Sequence, residues 1–180
     1  MHGNSYSPGL RKKGVVKRLP LRTPLFLLEN PEKVFELRPA PSALLVDLEG
    51  TLTEFCPPRS SVLKAVAAFD QVAVRNGLDL RLLHYITNSN LKEFGAECHV
   101  ISARLHTHAN KPFFTPPEEF HLLGNRTVVV GDQYLTDGLL AWRFGFSFGY
   151  VLASPHQPVW PRIQLFVGRI LCPLFLKQRK

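Results

Sequence analysis

Ten consecutive residues constrain this 180-residue chain more than any others: Leu44-Leu45-Val46-Asp47-Leu48-Glu49-Gly50-Thr51-Leu52-Thr53. An apolar run delivers two carboxylates at i and i+2, followed at once by Gly-Thr. The run reads as a short buried strand that ends where the acids begin. In an open parallel sheet the carboxyl ends of the strands are where ligands bind. Two acids and a glycine at such an end predict a metal and phosphate site.

The length suits one domain with tails, large enough to bury about two thirds of its unfolded surface. A hydrophobic content of 45% and a charged content of 20% are ordinary for a globular chain. Cys56, Cys98 and Cys172 are far apart and form no CxxC pair. That argues for reduced thiols and against a disulfide framework or a cysteine metal cluster.

The net charge of +8 is unevenly spread. Residues 1–23 carry Arg11, Lys12, Lys13, Lys17, Arg18 and Arg22 with no acid. Residues 160–180 carry Arg162, Arg169, Lys177, Arg179 and Lys180, again with no acid. The fold between these arms is mildly acidic. The first stretch fits either a disordered basic tail or an organellar transit peptide, and it lacks the apolar core of a secretory signal. No apolar run reaches the ~18 residues of a membrane span. The longest, Ile163 to Leu176, is interrupted by Arg169 and Pro173.

In chain order, residues 1–24 are expected to form a flexible extension. Asn30-Pro31-Glu32 predicts an N-cap, a proline in the first turn and a short helix to about Leu37. The strand at 42–47 follows. Ser60 or Ser61 caps a helix with Val62, Ala65, Val66, Phe69 and Ala73 on its apolar face, closed by Gly77. A second strand spans Leu82 to Ile86 and ends at Thr87-Asn88-Ser89. A short helix from about Asn90 and a strand near 99–102 come next. Residues 103–114 read as a polar loop. Its His106 and His108, with His99, lack the partners of a zinc site and are expected to be surface residues. Thr115-Pro116-Pro117-Glu118 predicts a capping box and a helix to Leu123. Thr127 to Val130 is a β-branched strand of the kind buried on both faces of a parallel sheet. A helix from Leu135 to Phe144 and a strand near 147–152 complete the pattern.

Strands alternating with helices predict an α/β fold, a three-layer, doubly wound parallel sheet. Three strand ends then finish in polar groups on one edge: Asp47 with Glu49, Thr87 with Asn88, and Asp132 with Asp137. Lys111 lies in a loop that can reach them. Carboxylates from two strand ends suit a hard cation such as Mg²⁺, and a hydroxyl and an ammonium suit phosphate oxygens. Taken alone, Asp137 reads equally as a helix-dipole partner, Thr87 and Asn88 as helix caps, and Lys111 as a surface lysine.

These residues, in order, resemble the motifs of the haloacid dehalogenase-like (HAD) phosphatases. Leu45-Val46-Asp47-Leu48-Glu49-Gly50-Thr51 is similar to the first motif, Tyr85-Ile86-Thr87-Asn88 to the second, Asn110-Lys111-Pro112 to the third, and Gly131-Asp132 with Asp137 to the fourth. The Lys111-Pro112 and Gly131-Asp132-Gln133 segments most resemble the YqeG-type branch, which includes mitochondrial phosphatidylglycerophosphate phosphatases. The resemblance covers residues 25–160. It implies a Rossmannoid domain with Asp47 as nucleophile and Glu49 as general acid and base. It also implies Mg²⁺ at Asp47, Asp132, Asp137 and the backbone carbonyl of Glu49, with phosphate held by Thr87, Asn88 and Lys111. Glu49 departs from the pattern, which has aspartate there. An extra methylene shifts the carboxyl by more than ~1 Å, a misplacement that can cost about a hundredfold in rate.

The spacing leaves no room for a cap domain, so an open site and a phosphate on a bulky carrier are expected. Residues 161–180 are expected to form a basic amphipathic tail. Its stripe Ile163, Phe166, Val167, Ile170, Leu171, Leu174 and Phe175 suits a membrane interface or packing on the sheet. The reading is a phosphatase of a lipid phosphate, phosphatidylglycerophosphate by preference, peripheral on an anionic membrane and mitochondrial. Alternatives are a catalytically weakened fold binding RNA or membrane, a phosphatase of nucleic-acid ends or sugar phosphates, and a cytoplasmic location.

Overall fold

The computed structural model describes residues 22–55, 57–89, 103–152 and 159–179. Seven strands form one sheet: β1 (Thr23–Leu28), β2 (Ala43–Asp47), β3 (Leu83–Ile86), β4 (Leu105–His106), β5 (Thr127–Gly131), β6 (Ser147–Val151) and β7 (Leu176–Gln178). Their order across the sheet is β4-β3-β2-β5-β6-β1-β7, and every pairing is parallel. From β2 the chain runs outward through β3 and β4, then returns to place β5 on the other side of β2. The order therefore reverses between β2 and β5, and that point opens a crevice at the strands' carboxyl ends.

The strands are apolar on both faces because both faces are covered. Leu44, Val46, Leu83, Tyr85, Val128 and Val130 point to α1 (Arg59–Arg75), meeting Val62, Val66, Phe69 and Ala73. Leu45, Ile86, Val129 and Phe148 point the other way, to Phe120 of α2 (Glu118–Leu123), Leu140 and Ala141 of α3 (Leu139–Phe144), and Phe175 of α4 (Val159–Phe175). This is the expected α/β sandwich of helix, parallel sheet and helix. The β3 and β4 edge is tied to α1 by polar groups. Arg104 donates to both Asp70 carboxylate oxygens at 3.0 and 2.7 Å, and the Tyr85 hydroxyl donates to Asp70 Oδ1 at 2.7 Å.

Several local expectations need correction. The turn after Asn30 is 3₁₀ rather than α, although Asn30 does cap it, accepting from Lys33 N at 3.2 Å. Helix α1 starts at Arg59 with no serine cap, because Pro58 is held extended and its carbonyl opens the helix. The capping box at Thr115 does not form. A residue preceding proline is driven out of the helical region, so α2 begins only at Glu118. The stretch from Leu135 to Phe144 is not one helix. A π-turn, Tyr134–Gly138, precedes α3. The loop expected at 103–114 contains β4. The helix expected from Asn90 and the strand near 99–102 lie outside the described residues, as does the extension through residue 21.

The first and last described segments belong to the sheet. Strand β1 begins at Thr23, and β7 pairs with it through Thr23–Leu176, Pro24–Lys177 and Leu25–Gln178. A domain boundary at residue 160 would fall inside α4. Leu165, Gly168, Cys172 and Phe175 face inward, and a Cβ on Gly168 would sit 2.9 Å from Tyr134 Cβ. The expected apolar stripe is thereby divided. Phe175 is buried, and its other members stay exposed. No helix among the described residues is long and apolar enough to cross a membrane.

His106 is a half-buried residue of β4, not a surface loop histidine. His84 Nε2 lies 3.2 Å from the Arg81 carbonyl, which only accepts, so Nε2 carries the proton. His84 Nδ1 then accepts from His106 Nε2 at 2.8 Å. Burial, and then the neighbouring His84, push His106 down from 6.5 to about 4. Because the unfolded chain binds this proton more tightly, the stability contributed is present above pH 6.5 and lost as pH falls toward 4. Urea unfolding midpoints of the wild type should fall over that range, and His106→Gln should flatten the slope; an unchanged slope would refute the assignment.

Candidate functional site

The site forms where the strand order reverses. Asp47 is the last residue of β2, Asp132 follows β5, and Asp137 lies in the π-turn beyond it. All three are buried, and their carboxylate oxygens lie within 4.8 Å of one another. Lys111 reaches them from the loop after β4. Its approach passes through left-handed backbone at His108 and Asn110, with φ of 49° and 50°. The ammonium sits 2.8 Å from Asp47 Oδ1 and 2.7 Å from Asp137 Oδ1, with all three side chains at or below 6% exposure.

Two glycines allow this crowding. Gly50 turns the chain at φ +82°, and a Cβ there would lie 2.5 Å from Asp132 Oδ2 and 2.8 Å from Phe55. A Cβ on Gly131 would overlap the Asp137 carboxylate. Asp137 Oδ2 also accepts from Gln133 N at 3.3 Å, and Asp47 Oδ1 from Leu48 N at 2.8 Å. The wide π-turn is what turns Asp137 inward beneath the strand end, a frequent use of such turns.

Three buried carboxyl groups share one ammonium, so with all three ionised the cluster would carry two uncompensated negative charges. Burial pushes the Asp47 carboxyl well above the usual carboxylate range; Lys111 opposes this, and Asp137 and Asp132 add to it. For Lys111, burial works against the charged form, but Asp137 and Asp47 outweigh it and keep the ammonium protonated. A divalent cation held by Asp47, Asp132 and Asp137 would neutralise the remainder, and an all-oxygen donor set suits Mg²⁺. The residues present fit that ion. Glu49 does not join this cluster through its side chain.

Above the cluster lies a cavity of about 350 Å³. It is lined by Asp47, Glu49, Thr87, Asn88, Lys111 and Asp132 among the residues expected from sequence. Asp137 lies beneath it as the partner of Lys111. The Glu49 carboxylate turns toward β3, accepting from Thr87 Oγ1 at 3.1 Å and from the Ser89 hydroxyl in a short contact. Thr87 Oγ1 in turn accepts from Ser89 N at 3.1 Å. Asn88 Oδ1 accepts from Lys111 N at 2.7 Å, so its oxygen positions the lysine backbone.

Sequence reasoning missed other lining residues: Phe55, Ser89, Gln133, Thr136, Trp160, Pro161 and Gln164. Ser89 and Gln133 had a signal, since each stands one or two positions past a recognised residue. Trp160, Pro161 and Gln164 had none, because only the packing of α4 brings them to the rim. Gln133 Oε1 is buried beside the cavity with no hydrogen-bond partner among the described residues. Comparisons of the chain with protein-family models, curated proteins and solved structures return no match. The α/β class rests on the sheet, and any function must rest on this geometry.

Removing the Lys111 ammonium leaves Asp47 and Asp137 as uncompensated buried charges. Lys111→Met should therefore cost about 3–5 kcal/mol in urea unfolding. Adding Asp137→Asn should recover part of that loss, since it removes one of the stranded charges; strict additivity of the two changes would show that the pair does not couple.

Proposed function

We propose that the protein is a Mg²⁺-dependent phosphomonoesterase of the HAD type that works through an aspartyl-phosphate. The observation that carries the reading is Asp47. It is a buried carboxylate at the strand-order reversal, paired at 2.8 Å with Lys111, clustered with Asp132 and Asp137, and open to the cavity. Bound at these carboxylates, the metal would supply positive charge to the phosphoryl oxygens.

Asp47 would attack phosphorus as the ester P–O bond breaks, leaving the phosphoryl group on its carboxylate. The departing alkoxide would take a proton from the Glu49 carboxyl group. Glu49 would then accept a proton from the water that hydrolyses the aspartyl-phosphate, releasing inorganic phosphate and restoring Asp47. Lys111 keeps its charge through the cycle and faces the negative charge that develops on the transferred group. The hydroxyls of Thr87 and Ser89 now donate to Glu49. A phosphoryl group entering beside them would take over those donors and release the Glu49 carboxyl toward the leaving oxygen. The longer glutamate therefore has a structural use here, since it spans from the Gly50 turn to the end of β3.

The substrate proposed is a lipid phosphate, with phosphatidylglycerophosphate as the specific choice, met at an anionic membrane and placed in mitochondria. Two features support a bulky carrier: the described residues between Asp47 and Thr87 form no cap, and one wall of the cavity is the exposed ring of Trp160.

Phosphate release from p-nitrophenyl phosphate and from phosphatidylglycerophosphate with Mg²⁺ tests the reading. Asp47→Asn should abolish both activities, and Glu49→Gln should lower kcat by about 10²–10⁴. Glu49→Asp should retain Asp47-dependent turnover. If neither substrate is hydrolysed in an Asp47-dependent way, the protein is not this enzyme; turnover of the small ester alone refutes the lipid. In thermal melts Mg²⁺ should raise the wild-type midpoint and leave Asp132→Asn unmoved, since a ligand stabilises only the state that binds it.

A further inference from the structure

The outer face of α4 is apolar along its whole length and has no partner among the described residues. Trp160, Phe166, Ile170 and Leu174 are 66%, 67%, 62% and 70% exposed, and Val159 and Ile163 lie on the same side. Turning 100° per residue, these side chains centre almost opposite Leu165, Gly168 and Cys172, which pack on the π-turn and the sheet. Patches of this kind mark sites of interaction.

Charge selects the occupant. No acidic residue occurs after Asp137, whereas Arg143, Arg162, Arg169, Lys177, Arg179 and Lys180 do. Arg162 and Arg169 are exposed together along one flank of the apolar face, and Lys177 and Arg179 are exposed beyond its end. A second copy of this chain would place this acid-free basic surface against itself. An anionic bilayer presents the opposite sign beside an apolar interior, and basic residues near such a surface each contribute about 1 kcal/mol. A helix of 17 residues containing Pro173 is too short and broken to span the bilayer, so it would lie along the interface.

We infer that the exposed face of α4 seats the protein on an anionic lipid surface, with the N-terminal end of the helix holding the cavity mouth at that surface. Trp160 belongs to both features: it is exposed on the apolar face and lines the cavity with Pro161 and Gln164. A phosphate on a lipid headgroup would then meet Asp47 without leaving the membrane plane. Delivery to Asp47 rests on the phosphatase reading; docking does not.

The test is sedimentation of the full chain with phosphatidylcholine vesicles, with and without phosphatidylglycerol. Deleting the C-terminal segment would remove β7 and disturb the sheet, so point variants of exposed residues are used. Phe166→Glu with Ile170→Glu should weaken binding on the order of a hundredfold, because two large apolar groups no longer enter the lipid. Hydrolysis of p-nitrophenyl phosphate by this variant should match the wild type. Arg162→Gln with Arg169→Gln should weaken binding about thirtyfold on anionic vesicles only. Asp47→Asn should bind as the wild type does, which separates docking from catalysis. A wild type that stays in the supernatant, or glutamate variants that bind undiminished, would overturn the inference. So would a dimer in light scattering that the glutamate variants dissolve while vesicles capture nothing.

Discussion

Lys111 between Asp47 and Asp137 is the interaction on which the site depends. Ion pairs this buried are weak sources of net stability, because desolvation opposes the Coulomb gain, yet breaking one is costly. The arrangement therefore acts chiefly as a constraint. It requires the loop after β4, the end of β2 and the turn after β5 to close on one point. Each is arranged to do so: left-handed backbone at His108 and Asn110 brings in the lysine, Asn88 holds its amide, and the π-turn sets Asp137 underneath. Gly50 and Gly131 are required because any side chain there would occupy the space of the carboxylates.

The same closure divides the acids by task. Asp47, Asp132 and Asp137 share a charge imbalance that a divalent cation suits. Glu49 is two residues from Asp47, but it faces away from them to the hydroxyls of Thr87 and Ser89. That separation follows from strand geometry and from the turn at Gly50. Against the motif that this stretch resembles, which has aspartate at that position, Glu49 reads as a defect. With the end of β3 beside it, the extra methylene serves as reach.

The C-terminal segment changes most between sequence and structure. Its apolar stripe and basic residues are plain in the sequence, and both membrane and core readings were open. The core reading holds for the inward side chains, while most of the stripe stays exposed. One face of α4 packs on the π-turn through Gly168, the strand after it completes the sheet edge beside β1, and the opposite face has no cover among the described residues. Helical periodicity cannot divide these roles when a helix is apolar on most of its circumference.

The order of strands and helices, the buried β2 and β5, and the cluster of Asp47, Thr87, Lys111 and Asp132 were legible in the sequence. Local apolar runs specify buried strands, and the carboxyl edge of a parallel sheet collects whatever follows them. Helix starts near prolines were misread, because proline geometry overrode the capping pattern at Ser60 and Thr115. The short edge strands β4 and β7 were missed, since such segments take their conformation from a neighbour's hydrogen bonds rather than from their own composition, and β1 was missed because its start lies in the proline- and arginine-rich stretch read as an extension. The sequence alone thus determined the fold class and the chemical types gathered at one edge. Tertiary structure decided which carboxylate meets the lysine, where Glu49 turns and what α4 leaves exposed, because those depend on distances between segments that no local pattern contains.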